Sequence, residues 1–129
     1  MRNKKILVID DEPAIHRLLQ IILEDEGFDI VGFEKHEGAR QNISKGKPDL
    51  IILDIMMPEV DGFDVLRMLK SDDETQEIPV IILTARNKRV DMEKAAALGA
   101  DSYITKPFQH SELLKAVRSA CSTGNTHRR

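Results

Sequence analysis

Four apolar runs punctuate the chain: Ile6-Leu7-Val8-Ile9, Leu50-Ile51-Ile52-Leu53, Val80-Ile81-Ile82-Leu83 and the weaker Tyr103-Ile104. The first three are unbroken rather than alternating, the pattern of parallel strands covered on both faces. A fifth run, Ile30-Val31-Gly32-Phe33, is interrupted by glycine. Helical periodicity fills the intervals. Ile15, Leu18, Leu19, Ile22 and Leu23 recur at i, i+3, i+4, i+7 and i+8, and Gly27 supplies a stop. Leu113, Ala116, Val117, Ala120 and Cys121 do the same near the end, and Val65, Leu66 and Leu69 mark another helix. A weaker helix spans 36–45, anchored by Ala39 and Ile43. An alanine-rich one spans 90–98, closes at Gly99 and has few large apolar groups, which implies loose packing.

Five strands alternating with five helices predict an α/β fold: a three-layer, doubly wound, five-stranded parallel sheet with right-handed crossovers. The folded unit is expected over 1–121. The polar, glycine-containing 122–129 reads as a flexible tail or the stump of a linker.

The chemistry stands at the strand ends. The first strand runs into Asp10-Asp11, the third into Asp54, the fourth into Thr84 and the fifth into Lys106. In a parallel sheet the carboxyl ends share one edge, and ligands bind there where the strand order reverses. Three carboxylates in one crevice repel, two at about 4 Å by roughly 1–4 kcal/mol depending on the effective dielectric. A hard divalent cation removes that penalty. Oxygen ligands without His or Cys point to magnesium or calcium, and a sparse set with room for water and phosphate oxygens favours Mg2+. The neutralised pocket accepts an anion, and the Asp54 carboxylate becomes a nucleophile toward phosphorus. Lys106 and the metal would share the phosphoryl charge, and the Thr84 hydroxyl would donate to another oxygen.

Taken singly, each residue has a plainer role. Asp11 suits the N-cap of the first helix, with Glu12 and Pro13 in its first turn. Asp54 suits a turn before Pro58, Thr84 a cap, and Lys106 a solvated surface. Joint placement at four strand ends is what argues for a site.

At these residues the sequence resembles the receiver domain of bacterial two-component response regulators, from Lys4 to about Ala120. The motifs are Ile6-Leu7-Val8-Ile9-Asp10-Asp11-Glu12, Pro48-Asp49 through Leu53-Asp54, Met57-Pro58 with Asp61-Gly62, Leu83-Thr84-Ala85, and Gly99-Ala100-Asp101 through Tyr103 to Lys106-Pro107-Phe108. The resemblance implies a flavodoxin-like sheet of order 2-1-3-4-5. It makes Asp54 the phosphoacceptor and Lys106 its phosphoryl contact. Magnesium would be held by Asp11 and Asp54, by Asp10 directly or through water, and by the backbone carbonyl of Met56. Thr84 and Tyr103 would form a switch pair, and the Lys106–Pro107 bond would be cis. The partners implied are a histidine kinase or a histidine phosphotransfer protein. A downstream protein or missing output domain would meet the face made by the fourth helix, fifth strand and fifth helix. The domain is then a phosphoacceptor signalling module rather than an enzyme, although it assists its own phosphorylation and dephosphorylation. A relay intermediate that passes the phosphoryl group to a histidine phosphotransfer protein has identical chemistry at Asp54.

Composition narrows the alternatives. A net charge of −3 gives no general attraction to nucleic acid or to an anionic membrane. The single cysteine, Cys121, excludes an internal disulfide, and the short run Ile6–Ile9 ends in acid, unlike a signal peptide. A cytoplasmic domain is expected. A flavin or nucleotide binder would need a glycine- or hydroxyl-rich cradle after the first strand, where this chain has Asp10-Asp11-Glu12-Pro13. An aspartate-nucleophile phosphatase would need a second aspartate two residues after the nucleophile, where Met56 stands. The basic stretch Arg86-Asn87-Lys88-Arg89 reads as a solvated loop, Met56 and Met57 as packing groups, and the four histidines as unpaired surface residues.

Overall fold

The computed structural model describes residues 3–126. Its elements are β1 (Lys5–Ile9), α1 (Pro13–Asp25), β2 (Asp29–Phe33), α2 (His36–Lys45), β3 (Leu50–Leu53), α3 (Gly62–Ser71), β4 (Val80–Thr84), α4 (Arg89–Ala97), β5 (Ser102–Thr105) and α5 (His110–Thr126). A short antiparallel pair, Met56–Met57 with Val60–Asp61, lies outside the sheet between β3 and α3. The five main strands are all parallel, in the order β2-β1-β3-β4-β5, as the resemblance implies.

The unbroken apolar runs follow from two cores, one on each face of the sheet. Leu7, Ile9, Ile51, Leu53, Val80 and Ile82 point toward α2, α3 and α4. Ile6, Val8, Leu50, Ile52, Ile81 and Leu83 point toward α1 and α5. Successive strand side chains alternate faces, so a strand buried on both must be apolar at every position. The central strands are fully buried, whereas α4 buries only Asp91 and Ala95 and leaves Val90 65 % exposed. Few large apolar groups anchor this helix, as its alanine-rich sequence implies.

Two boundaries differ from the sequence reading. Glu12, not Asp11, is the N-cap of α1, and no side chain caps this helix. The Asp10 carboxylate accepts from the N–H of this N-cap residue, Glu12, at 2.9 Å. At the other end α5 stays helical through Thr126, past the break expected after Cys121. Backbone bonding needs no apolar face, so polar residues can extend a helix already anchored by Leu113 and Val117. Residues 127–129 of the expected tail lie outside the described residues. The Lys106–Pro107 peptide is cis, in line with the resemblance.

Candidate functional site

Strand order reverses at β1: the chain leaves it outward to β2 and returns on its other side as β3. Register then does the positioning. Ile9 pairs with Leu53, so the next residues, Asp10 and Asp54, emerge side by side. The ladder runs one bond further on each strand, with Asp54 N–H donating to the Ile9 carbonyl and Asp10 N–H to the Phe33 carbonyl, both at 3.0 Å. Thr84 pairs with Thr105, and Lys106 N–H donates to the Thr84 carbonyl at 2.8 Å. All four residues therefore stand on the same rim.

The Lys106 ammonium is the hub. Its Nζ lies 2.9 Å from Asp10 Oδ2, 3.0 Å from Asp54 Oδ2 and 2.7 Å from Glu12 Oε1. Asp10 and Asp54 are 2 % and 3 % exposed, and Thr84 is fully buried. Each aspartate turns its second oxygen to a backbone N–H two residues on: Asp10 Oδ1 to Glu12, and Asp54 Oδ1 to Met56 at 2.8 Å. These local bonds fix both carboxylates without using their remaining lone pairs.

Burial raises the Asp10 pKa, and neighbouring Asp54 adds to that, against the lowering effect of Lys106 and the Glu12 N–H. Lys106 moves the opposite way in charge preference. Burial disfavours its charge, but hydrogen bonds to Glu12, Asp10 and Asp54 outweigh that and hold its pKa above the usual lysine range. The asymmetry is physical: one ammonium has three carboxylates, while each buried carboxylate has a third of an ammonium.

Carboxyl oxygens of Asp10, Glu12 and Asp54 all lie within 4.8 Å of one another. Two buried carboxylates and a third at the rim, with no sulfur or imidazole ligand, suit a hard divalent cation. Glu12 is a member that sequence reasoning missed, because a glutamate just before Pro13 reads as part of the first helical turn. Asp11 is not one of the three. It is half-exposed and lines an adjoining recess of about 400 Å³ with Glu34, His36, Met57 and Glu59.

Thr84 and Tyr103 meet through Arg86. The Arg86 N–H donates to Thr84 Oγ1 at 3.4 Å, and the Tyr103 hydroxyl donates to the Arg86 carbonyl at 2.9 Å. The Arg86 side chain pairs with Asp91 Oδ2 at 3.3 Å and lies over the Phe63 ring at 5.8 Å. The basic loop is exposed as expected, but its first arginine is tied to both α3 and α4. Met57 is buried, whereas Met56 is 50 % exposed and is no packing group. Gly62 opens α3 directly beneath the β3 end, where a Cβ would fall 2.2 Å from Ile55 Cα. Two histidines are not the unpaired surface groups expected. His16 bonds the Asp10 carbonyl at 2.6 Å, and His36 is half-buried, 3.5 Å from Glu37.

The comparisons with known proteins place this doubly wound sheet in a family of signalling domains. Residues 6–118 match the model of the response regulator receiver domain, and the chain belongs to that family. It is 41 % identical over 117 residues to the alkaline phosphatase synthesis transcriptional regulatory protein PhoP of Bacillus subtilis, covering 91 % of this chain and 48 % of that protein. It is 40 % identical over 129 residues to the phosphate regulon transcriptional regulatory protein PhoB of Pseudomonas aeruginosa, covering 98 % of this chain and 56 % of that protein. Among solved structures, the signal receiver domain of a putative Luxo repressor protein from Vibrio parahaemolyticus superposes with a TM-score of 0.90 at 27 % identity, over 98 % of this chain and 96 % of that one. The chain spans about half the length of the curated relatives it matches.

Proposed function

We propose that this domain is a magnesium-dependent phosphorylation switch, charged at Asp54 by a histidine kinase or a small phosphodonor. The observation that carries the reading is Lys106 Nζ within 3.0 Å of two buried aspartates on adjacent strand ends. A carboxylate oxygen of Asp54 attacks phosphorus, and the bond from phosphorus to the donor breaks, its electron pair leaving with the donor. Asp54 is paired and hydrogen-bonded as a carboxylate, so the reaction needs no general base. Lys106 is already beside the nucleophile. As the phosphoryl oxygens arrive it exchanges its bond to the exposed Glu12 for one to them. Asp10, Glu12 and Asp54 would hold Mg2+, with the Asp11 carboxylate and the Met56 carbonyl as the further ligands that the resemblance implies. The ion supplies charge neutralisation in the crevice, allowing an anionic donor to enter.

The response runs through Thr84 and Tyr103. Among the described residues no acceptor takes the Thr84 hydroxyl proton, so it is free to donate to a phosphoryl oxygen. Movement of Thr84 lengthens its bond from Arg86 N–H, and the Arg86 carbonyl is where Tyr103 is moored. The switch pair thus shares a peptide segment, and α4, which Arg86 grips through Asp91, moves with it. Such a device biases an existing equilibrium between two arrangements. The output surface is α4, β5 and α5, where Val90 and Met92 are exposed.

The relatives are named as transcriptional regulators, and this chain corresponds to about half of each. The partner is accordingly an output domain outside this sequence or a separate downstream protein, and nucleic acid is not bound by this domain itself. Those names favour the switch over the relay role. Among the described residues no helix is long and apolar enough to cross a membrane, consistent with a cytoplasmic setting. Incubation with acetyl phosphate tests the reading. Wild type takes label only with Mg2+ present, and Asp54→Asn takes none. Full labelling of Asp54→Asn, or labelling in a chelator, refutes it.

A further inference from the structure

The loop that carries the acidic residues is held in an uncommon way. Helix α1 begins without a side-chain cap, and the side chain of its N-cap residue, Glu12, is committed to Lys106. What fixes the loop on the helix side is His16, one turn into α1, whose Nε2 lies 2.6 Å from the Asp10 carbonyl oxygen. A carbonyl only accepts, so Nε2 carries the proton of this bond.

The ring needs a seat, and Gly32 provides it. A Cβ at Gly32 would fall 2.2 Å from His16 Nδ1 and 2.8 Å from its Cε1. The imidazole therefore fills the space that a side chain on β2 would occupy. This accounts for the glycine that interrupts the second strand, a residue that weakens a strand unless another group must approach closely. Gly32 pairs with Val8, and its neighbour Phe33 accepts the Asp10 N–H at 3.0 Å. Strand β2 thus supplies both the platform for the ring and the last ladder bond to Asp10.

We propose that His16, seated on Gly32, is a positioning residue that locks the Asp10–Asp11 peptide and so sets the acidic crevice to receive a divalent cation. The peptide is planar, so pinning its carbonyl toward α1 and β2 fixes the direction of the Asp11 N–H and of the chain that carries Asp11 and Glu12. His16 does not touch the reacting atoms and acts through Asp10. This inference rests on the functional reading above.

The test titrates Mg2+ into metal-free wild type, H16A, H16Q, G32A and the double variant H16A/G32A. Binding is read from the amide resonances of Asp11, Glu12 and Met56, beside initial labelling rates with acetyl phosphate. Loss of one net hydrogen bond predicts that H16A binds Mg2+ about fivefold more weakly. H16Q, which keeps an N–H donor of similar reach, recovers affinity to within about twofold of wild type because the bond is remade. G32A displaces the ring and reproduces the H16A loss, and adding G32A to H16A costs nothing further, since coupled residues are non-additive. H16A with wild-type affinity, H16Q as weak as H16A, or losses that multiply in the double variant overturn the inference. If G32A does not fold, H16A and H16Q decide the matter alone. A wild-type protein that neither binds Mg2+ nor takes label overturns the functional reading itself, whereas a wild type that does both beside an unaltered H16A overturns only the role of His16.

Discussion

Replacing Lys106 by methionine keeps the apolar stem and removes the charge and its donors. Three carboxylates lose their partner, but not equally. The Glu12 side chain is 57 % exposed, so water screens it and its pair contributes little. The Asp10 and Asp54 side chains are 3 % and 4 % exposed, and both are left facing an uncompensated like charge. Breaking a buried pair costs about 3–5 kcal/mol, and because two aspartates share one ammonium that range applies once. A domain of this size has about 5–15 kcal/mol of total stability, so Lys106→Met is expected to fold with much of its margin gone. Mg2+ should then restore part of the loss, about 2.7 kcal/mol at a hundredfold excess over its dissociation constant. The chain has no tryptophan, so urea unfolding is followed by far-ultraviolet circular dichroism, with chelator and with Mg2+. A variant with the wild-type urea midpoint in chelator would refute the hub role of Lys106. A variant destabilised but indifferent to Mg2+ would refute the cation-holding crevice.

Three further outcomes follow from the same geometry. Burial lifts the Asp10 pKa above its ordinary value of 3.8, so the folded state keeps a proton that the unfolded state releases, and stability falls as pH rises through that interval. Asp10→Asn should therefore be more stable than wild type at neutral pH, with the difference vanishing below 3.8; equal urea midpoints at neutral pH would contradict this. Gly62→Ala places a methyl 2.2 Å from Ile55 Cα and should lower stability by about 1–3 kcal/mol, since backbone cannot step aside as a side chain can; an unchanged melting curve would show that α3 moves freely. Tyr103→Phe removes a single hydroxyl bond to the Arg86 carbonyl at a partly exposed position and should cost no more than about 1 kcal/mol, measured by the same denaturation.

Much of this was legible in the sequence because parallel strands buried on both faces leave unbroken apolar runs, as in Ile6–Ile9 and Leu50–Leu53. Once those runs are aligned in one direction, Asp10, Asp54, Thr84 and Lys106 must fall on one rim. What the pattern hid lay in how the end of β1 meets α1 and in contacts between distant residues. Asp11 had the composition of a cap, but α1 starts at Pro13 with Glu12 as its N-cap, and the Asp10 carboxylate accepts from the Glu12 N–H. Glu12 looked like an ordinary first-turn residue because nothing local announces a lysine 94 positions away. His16 looked like surface because its contacts with Gly32 and the Asp10 carbonyl arise only when α1 folds back over β2. Arg86 belonged to a basic stretch, and its grip on Asp91 becomes visible only once the chain turns into α4.

In this account remote strand ends converge on one nucleophilic carboxylate, that of Asp54. Peptide mapping after phosphorylation with acetyl phosphate and Mg2+, followed by borohydride reduction of the acyl phosphate, reads that carboxylate directly. Conversion of Asp54 to homoserine, with Asp10, Asp11 and Glu12 untouched, is the predicted result. Reduction at any of those three in place of Asp54, or at none of the four, would contradict it.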